Sequence, residues 1–236
     1  MCTVSFVCSN DKIIITSNRD EKVIRPSAIP PKSYSINGKN IFYPKDPKAG
    51  GTWYAVDSKG TVLVLLNGAD EKHKVQVSYR KSRGLIVLDM IGSNSPKFFW
   101  EEVDLDNIEP FTLVLFENKE LFQLRWNGLV KETKSLEIHE NYVWSSSTLY
   151  SLGIMEERAQ WFYDFLDSNP EICEAKVLCF HRHTEEENNE NGLVINRNDV
   201  MKTLSITQSV IEKNKMSIMH YDLITQEDFK TSFITA

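Results

Sequence analysis

The chain predicts an α+β fold in which two antiparallel sheets pack together and carry helices on their outer faces. Three observations support this. β-rich runs come in consecutive pairs split by short polar turns, the pattern of hairpins. Helical periodicity of apolar residues is confined to a few segments. A last pair of β-rich runs closes the chain after the helices, an order that suits two packed sheets with helical cover. No repeat and no linker interrupts the 236 residues, which read as one domain, 1–236.

The first hairpin joins Thr3-Val4-Ser5-Phe6-Val7-Cys8 to Lys12-Ile13-Ile14-Ile15-Thr16-Ser17 through a three-residue turn, Ser9-Asn10-Asp11. Pairing about Asn10 sets Val4 opposite Thr16 and Cys2 opposite Asn18. Such partners lie roughly 5 Å apart at Cα. A slip of one residue reverses the facing but keeps Asn18, Arg19 and Asp20 beside the N-terminus. Next, Arg25-Pro26 and Ile29-Pro30-Pro31 predict an extended loop crossing a sheet edge, either as a pocket wall or as a plain connection.

Gly50-Gly51 opens a strand pair, 52–56 and 61–66, around the turn Asp57-Ser58-Lys59-Gly60. The second strand is nearly all apolar, so it is expected to be buried on both faces. Asn67-Gly68 ends it, where an amide side chain either points into a cleft or caps the next turn. Residues 82–91 have helical spacing, with Leu85, Leu88 and Ile91 on one face. Arg80, Lys81 and Arg83 at its start either attract an acidic substrate group or form a solvated helix end. Runs 111–116 and 120–126 pair around Glu117-Asn118-Lys119, and Asn127-Gly128 turns into Leu129-Val130-Lys131. Tyr142-Val143-Trp144 leads to Ser145-Ser146-Ser147-Thr148. Residues 154–166 make the clearest helix, with Met155, Ala159, Phe162 and Leu166 inward and Asn169-Pro170 as its stop. Residues 185–191 read as an acidic exposed loop, and strands 204–211 and 216–223 close the chain.

With 41% hydrophobic residues, twelve Phe and five Trp, the chain can bury a sizeable core. A net charge of −6 argues against a broad nucleic-acid or anionic-membrane surface. No apolar run approaches the ~20 residues of a membrane span, and no leader precedes Cys2, so the cytoplasm is the expected location. In that setting Cys2, Cys8, Cys173 and Cys179 are expected to be reduced thiols, with Cys8 a small core residue. Cys173, Cys179, His181 and His183 lie close together without a C-x-x-C pair, and the two cysteines are placed in or next to a helix against the core. No metal is assigned. No phosphate-cradling glycine loop exists, and no cofactor is expected.

Cys2 carries the most specific chemistry. Removal of Met1 by a methionine aminopeptidase exposes it as the N-terminus, giving one residue both a thiol and an α-amine of pKa ~8. That is a nucleophile with its base attached. Met1-Cys2, the hairpin, Asn18-Arg19-Asp20-Glu21, Gly50-Gly51-Thr52-Trp53 and Leu65-Leu66-Asn67-Gly68 resemble the NRDE family, which includes the transport-and-Golgi-organisation proteins. The opening is also similar to choloylglycine hydrolases and penicillin V acylases.

The resemblance implies the four-layer αββα sandwich of N-terminal nucleophile hydrolases. It implies a catalytic set of Cys2, Arg19, Asp20 and Asn67, with Asn18, Glu21 and Ser146 near substrate. Asn67 would face the oxyanion, and Ser146 stands where relatives usually carry Asn. Asp20 or Glu21 would hold the charged α-amine, and Arg19 would lower the thiol pKa while anchoring Asp20. The expected activity is an amidohydrolase or acyltransferase acting on non-peptide C–N bonds of a small amide or acylated metabolite. A carrier of lipid, acyl-CoA or haem on the same fold is the alternative. The oligomeric state stays open.

Overall fold

The computed structural model describes residues 3–235. The chain opens with β1 (Thr3–Ser9), β2 (Lys12–Lys22), β3 (Ile29–Ile36), β4 (Lys39–Lys45), β5 (Tyr54–Asp57) and β6 (Val62–Asn67). Two helices follow, α1 (Arg83–Ile91) and α2 (Pro96–Glu102), then β7 (Phe111–Glu117), β8 (Glu120–Trp126), β9 (Lys131–Leu136) and β10 (Tyr142–Ser145). Helices α3 (Leu152–Asp167) and α4 (Glu174–His183) lead to β11 (Asn196–Arg197), β12 (Met201–Glu212), β13 (Lys215–Asp222) and β14 (Glu227–Ile234).

One antiparallel sheet runs β10-β1-β2-β12-β13-β14 with β11 beside β12; the other runs β3 to β9 in sequence order. Helices α3 and α4 cover the first sheet through β10, β2 and β12, while α1 and α2 cover the second through β5, β6 and β7. The layers are therefore helix, sheet, sheet, helix, the predicted αββα sandwich. Val4, Phe6 and Ile15 of the first sheet meet Leu63, Leu115 and Phe116 of the second in the central core. The Phe6 and Phe116 rings lie 6.1 Å apart across the sheets. Tyr54 Oη donates to the Ile15 carbonyl at 2.9 Å, and Trp144 Nε1 to Gln123 Oε1 at 2.8 Å. Val7, Ile14, Phe162, Val177 and Phe180 form a second apolar cluster under α3 and α4.

Several expectations are corrected. The first hairpin turns on two residues, Asn10 and Asp11, with φ of 51° and 59°. Two positive φ values match the right-handed twist of the flanking strands, so the turn is one residue tighter than predicted. The register shifts accordingly: Thr3 faces Asn18 and Val4 faces Ser17. β2 does not end before Asn18 but continues to Lys22, because β12 is long enough to pair with it throughout. The proline segment is the edge strand β3, with its register broken between Ile29 and Lys32. An edge tolerates proline because one side of the strand needs no N–H donors. Helix α1 turns Ile86, Val87, Met90 and Ile91 inward, so Leu85 and Leu88 sit at the border of the buried face. Helix α2 and strand β14 were not anticipated. α2 starts at Pro96 behind the cap Ser95, whose side chain accepts from the Phe98 amide.

Candidate active site

Strand β2 brings the Asn18-Arg19-Asp20-Glu21 run into the middle of the first sheet, and strand alternation divides its side chains between two faces. Asn18 faces the helices. Its Nδ2 donates to the carbonyls of His181 (3.0 Å) and Leu193 (2.7 Å), and its Oδ1 lies 2.5 Å from His181 Nδ1. His181 Nε2 is 2.7 Å from Ser5 Oγ. A neutral ring that donates from Nδ1 and accepts at Nε2 satisfies both contacts. Burial, reinforced by the Arg158 charge, lowers the His181 pKa to about 3, so the ring stays neutral.

Arg19 faces the other sheet and is only 3% exposed. Its guanidinium lies over the Trp53 ring, 4.3 Å from the centroid, and 3.6 Å from Asp46. Arg25 holds the same Asp46 oxygen at 2.5 Å. Both terminal nitrogens of Arg19 lack a hydrogen-bond partner among the described residues. Burial lowers the Arg19 pKa, while Glu21 and Asp46 oppose the shift; an arginine stays charged at such a site. The expected Arg19–Asp20 bond is therefore corrected, since neighbours on a strand point to opposite faces.

Asp20 accepts from Tyr150 Oη at 2.8 Å and from Thr203 Oγ1 at 2.6 Å. Opposite Arg19 and Asp20, the β12 register shifts between Thr203 and Ser205, a bulge that aims Thr203 at the carboxylate. Tyr150 stacks under Arg158, whose Cζ is 3.6 Å from the ring centroid. Arg158 is fully buried on α3 and donates to Thr3 Oγ1 at 2.6 Å, fixing the start of β1. Glu21 binds its own neighbour's amide, Lys22 N, at 2.9 Å and lies 3.7 Å from Arg25.

A cavity of about 330 Å³ opens on the Arg19 face; Glu21, Trp53, Leu65 and Asn67 also line it, with Arg83 and Glu109 on the far wall. Its floor is a backbone seam: a Cβ on Gly51 would lie 2.4 Å from the Gly84 carbonyl carbon. Only glycine permits that approach. Arg83 pairs with Glu109 at 2.9 Å, and burial lowers its pKa. The Asn67 side-chain amide has no hydrogen-bond partner among the described residues, while its carbonyl accepts from Ser146 Oγ at 2.7 Å. Ser146 is 1% exposed and shares its hydroxyl with Thr148 Oγ1 at 2.9 Å.

Arg19, Glu21 and Asn67 thus meet at the cavity, whereas Asn18, Asp20 and Ser146 lie behind its wall. Cys2 falls outside the described residues. Thr3, the residue that follows it, pairs with Asn18 on one side and Ser145 on the other. Each partner adjoins a residue tied to the cavity, Arg19 in one case and Ser146 in the other.

Sequence reasoning missed Trp53, Asp46, Tyr150, Arg158 and Thr203 as supports of this site. One signal for Arg158 was available: it continues the apolar i, i+4 step between Ile154 and Phe162. Cys173 and Cys179 are exposed rather than packed on the core, and no metal-holding group of three or more His, Cys, Asp or Glu occurs among the described residues. Burial, with Asp11 nearby, raises the Cys8 pKa, so that thiol is the opposite of activated. No helix among the described residues is long and apolar enough to cross a membrane.

A family model described as Transport and Golgi organisation 2 matches residues 1–234. No curated protein matches the chain. The Caenorhabditis elegans ortholog of N-acylethanolamine-hydrolyzing acid amidase is a structural neighbour at TM-score 0.63 and 10% identity, covering 88% of this chain and 92% of its own. A cysteine-to-alanine mutant of the conjugated bile acid hydrolase from Clostridium perfringens matches at TM-score 0.58 and 10% identity, covering 100% of this chain and 98% of its own. An arginine-to-leucine variant of that hydrolase matches at TM-score 0.53, with the same identity and coverage. The shared feature is the fold, that of the N-terminal nucleophile hydrolases.

Proposed function

We propose, for a chain that belongs to the Transport and Golgi organisation 2 family, that Cys2 is the nucleophile of an amidohydrolase or acyltransferase acting on a small amide or acylated metabolite. After removal of Met1, the Cys2 sulfur attacks the substrate carbonyl carbon. The thiol proton passes through the α-amine to the leaving nitrogen as the C–N bond breaks, leaving a thioester. Water, or an acyl acceptor, then cleaves the thioester and restores the thiol. Asn67 donates its amide to the oxyanion; loss of such a donor costs ~10²–10³ in rate. Asp20, oriented by Tyr150 and Thr203, holds the charged α-amine. Arg19 supplies a buried positive charge that favours thiolate. Asn18 and Ser146 act as positioning residues, the first through α4 and the second through the Asn67 carbonyl.

The observation that carries this reading is one cavity lined both by Asn67, whose side-chain amide has no partner among the described residues, and by the buried Arg19 cation, whose strand neighbour Asn18 pairs with Thr3. One observation favours a carrier instead: the Ser146 hydroxyl is already committed to a backbone carbonyl, so Asn67 alone supplies a side-chain amide to the oxyanion.

The test is a screen of N-acyl amino acids, penicillin V and acyl thioesters with wild type and Cys2→Ser side by side. Turnover that disappears in Cys2→Ser while substrate still binds supports catalysis. Tight ligand binding that is indifferent to Cys2→Ser, with no turnover of any acyl donor, moves the assignment to a carrier.

A further inference from the structure

Seven of the sixteen residues lining the cavity of about 330 Å³ are charged: Arg19, Glu21, Arg25, Asp46, Lys81, Arg83 and Glu109. Ligand pockets commonly run from about 300 to 1,000 Å³, so this one is small as well as polar. Its charges are held in pairs. Asp46 takes Arg19 and Arg25, Arg83 takes Glu109 at 2.9 Å, and Lys81 takes Asp89. The Arg25 and Glu109 side chains keep 32% and 23% of their surface in solvent, so water still covers part of this charged wall. Apolar surface is scarce by comparison. Leu65 is 5% exposed and Trp53 4%, and the Arg19 guanidinium already lies over the Trp53 ring.

Neither end of the cavity leads to an apolar channel. Backbone closes the floor, where a Cβ on Gly51 would lie 2.4 Å from the Gly84 carbonyl carbon and one on Gly84 2.8 Å from the Thr52 carbonyl oxygen. The Arg83–Glu109 pair closes the far wall and is itself anchored. Arg83 Nη1 donates to the Pro110 carbonyl at 3.1 Å, and Glu109 Oε1 lies 3.2 Å from His73 Nε2. A larger cleft of about 740 Å³ carries Leu149, Leu152 and Met155, but it shares no lining residue with the first. The segments between them are in close contact: Ser146 Oγ donates to the Asn67 carbonyl, and a Cβ on Gly68 would lie 2.3 Å from Ser147 Oγ. That contact walls one cleft from the other.

An acyl chain gains about fourfold in affinity per methylene only where apolar surface receives it. Beside charged groups it displaces their water and gives nothing in return, which costs more than a methylene gains. We infer that the cavity selects a short, hydrophilic acyl donor and rejects a long aliphatic one, with the Arg83–Glu109 pair as the specificity-determining element. This selection deepens the reading of the cavity as the reaction site and rests on it.

The experiment uses the full chain with acetyl, butyryl, octanoyl and palmitoyl glycine, each below its micellar concentration. Two quantities are read: kcat/KM, and the ligand-induced rise in melting temperature, which needs no turnover. kcat/KM should be greatest for acetyl or butyryl glycine and lower by about tenfold or more for palmitoyl glycine, and the rise in melting temperature should follow the same order. Arg83→Leu with Glu109→Leu removes both charges of the pair together and should raise the octanoyl-to-butyryl ratio about tenfold. An unchanged ratio in the folded double variant removes the pair from that role. A preference that climbs with chain length, with turnover lost in Cys2→Ser, overturns the inference and leaves the Cys2 assignment standing. No turnover with any member, while butyryl glycine still raises the melting temperature more than palmitoyl glycine, supports the selection and removes the Cys2 assignment. A rise that is equal across the series, or absent from all of it, overturns the selection.

Discussion

Arg19 and Asp20 are neighbours with separate tasks. Arg19→Lys keeps the charge but loses the planar cation over Trp53 and the fork that reaches Asp46, so it is not a conservative change. Arg19→Met should cost about 1–3 kcal/mol and should reduce the alkylation rate of Cys2, measured by iodoacetamide labelling and peptide mapping. An unchanged labelling rate would remove Arg19 from thiol activation. Asp20→Ala removes the carboxylate that accepts from the buried Tyr150 and Thr203 hydroxyls and should cost about 1–3 kcal/mol in urea unfolding. Asp20→Asn keeps acceptor capacity but no charge. It should recover most of the stability while labelling of Cys2 stays low, an outcome that a purely structural Asp20 would not give. The tetrapeptide was legible as a functional run, but the division of labour within it was not. It depends on which face each side chain takes, and the turn fixes that facing.

At the scale of elements, a one-residue error in the first turn moved the whole predicted register of β1 against β2. The sequence showed Asn10 and Asp11 plainly, but not that Ser9 and Lys12 would pair and leave only two residues to turn. Asp11→Gly should therefore stabilise the protein by about 0.5–1 kcal/mol, because glycine reaches the φ of 59° without strain. A lower melting temperature would show that the Asp11 side chain matters more than its backbone. The buried strand 61–66 and helix 154–166 were legible because their apolar patterns are long and unbroken. Strand β3 was not, since its two prolines suit an edge that only the tertiary fold creates. The seam between the stretch leading into β5 and α1 was equally hidden: Gly50-Gly51 read as the opening of a strand pair, and only the approach of Gly51 to Gly84 explains the glycine there. Gly51→Ala should cost about 1–3 kcal/mol and narrow the cavity, read as loss of ligand or substrate binding.

For the molecule as a whole, two packed sheets flanked by helices followed from the order of hairpins and helices, the four-layer αββα order came from the family resemblance, and the helix contacts that support the site followed from neither. His181 and Arg158 are buried polar residues, placed by contacts from α4 and α3 that no local pattern announces. The buried histidines carry a pH signature. His181 and His220 have pKa values lowered to about 3 and about 4 in the fold, against about 6.5 when unfolded, chiefly through burial. Between those limits the unfolded chain holds more protons, so stability is complete above about pH 6.5 and is lost as pH falls towards 4. Each group contributes up to about 1.4 kcal/mol per pH unit inside its window. His181→Gln should flatten the fall in melting temperature between pH 6.5 and 4; an unchanged slope would place the effect elsewhere. One core spans both sheets, and a single unfolding transition shared by far-UV dichroism and tryptophan fluorescence is expected. The central claim is that Cys2 is the activated nucleophile, and mass spectrometry of the intact protein after exposure to an acyl donor tests it most directly. The account predicts a chain that lacks Met1 and carries one acyl group, mapped to Cys2. A retained Met1, or an acyl group found on Cys8, Cys173 or Cys179 instead, would contradict it.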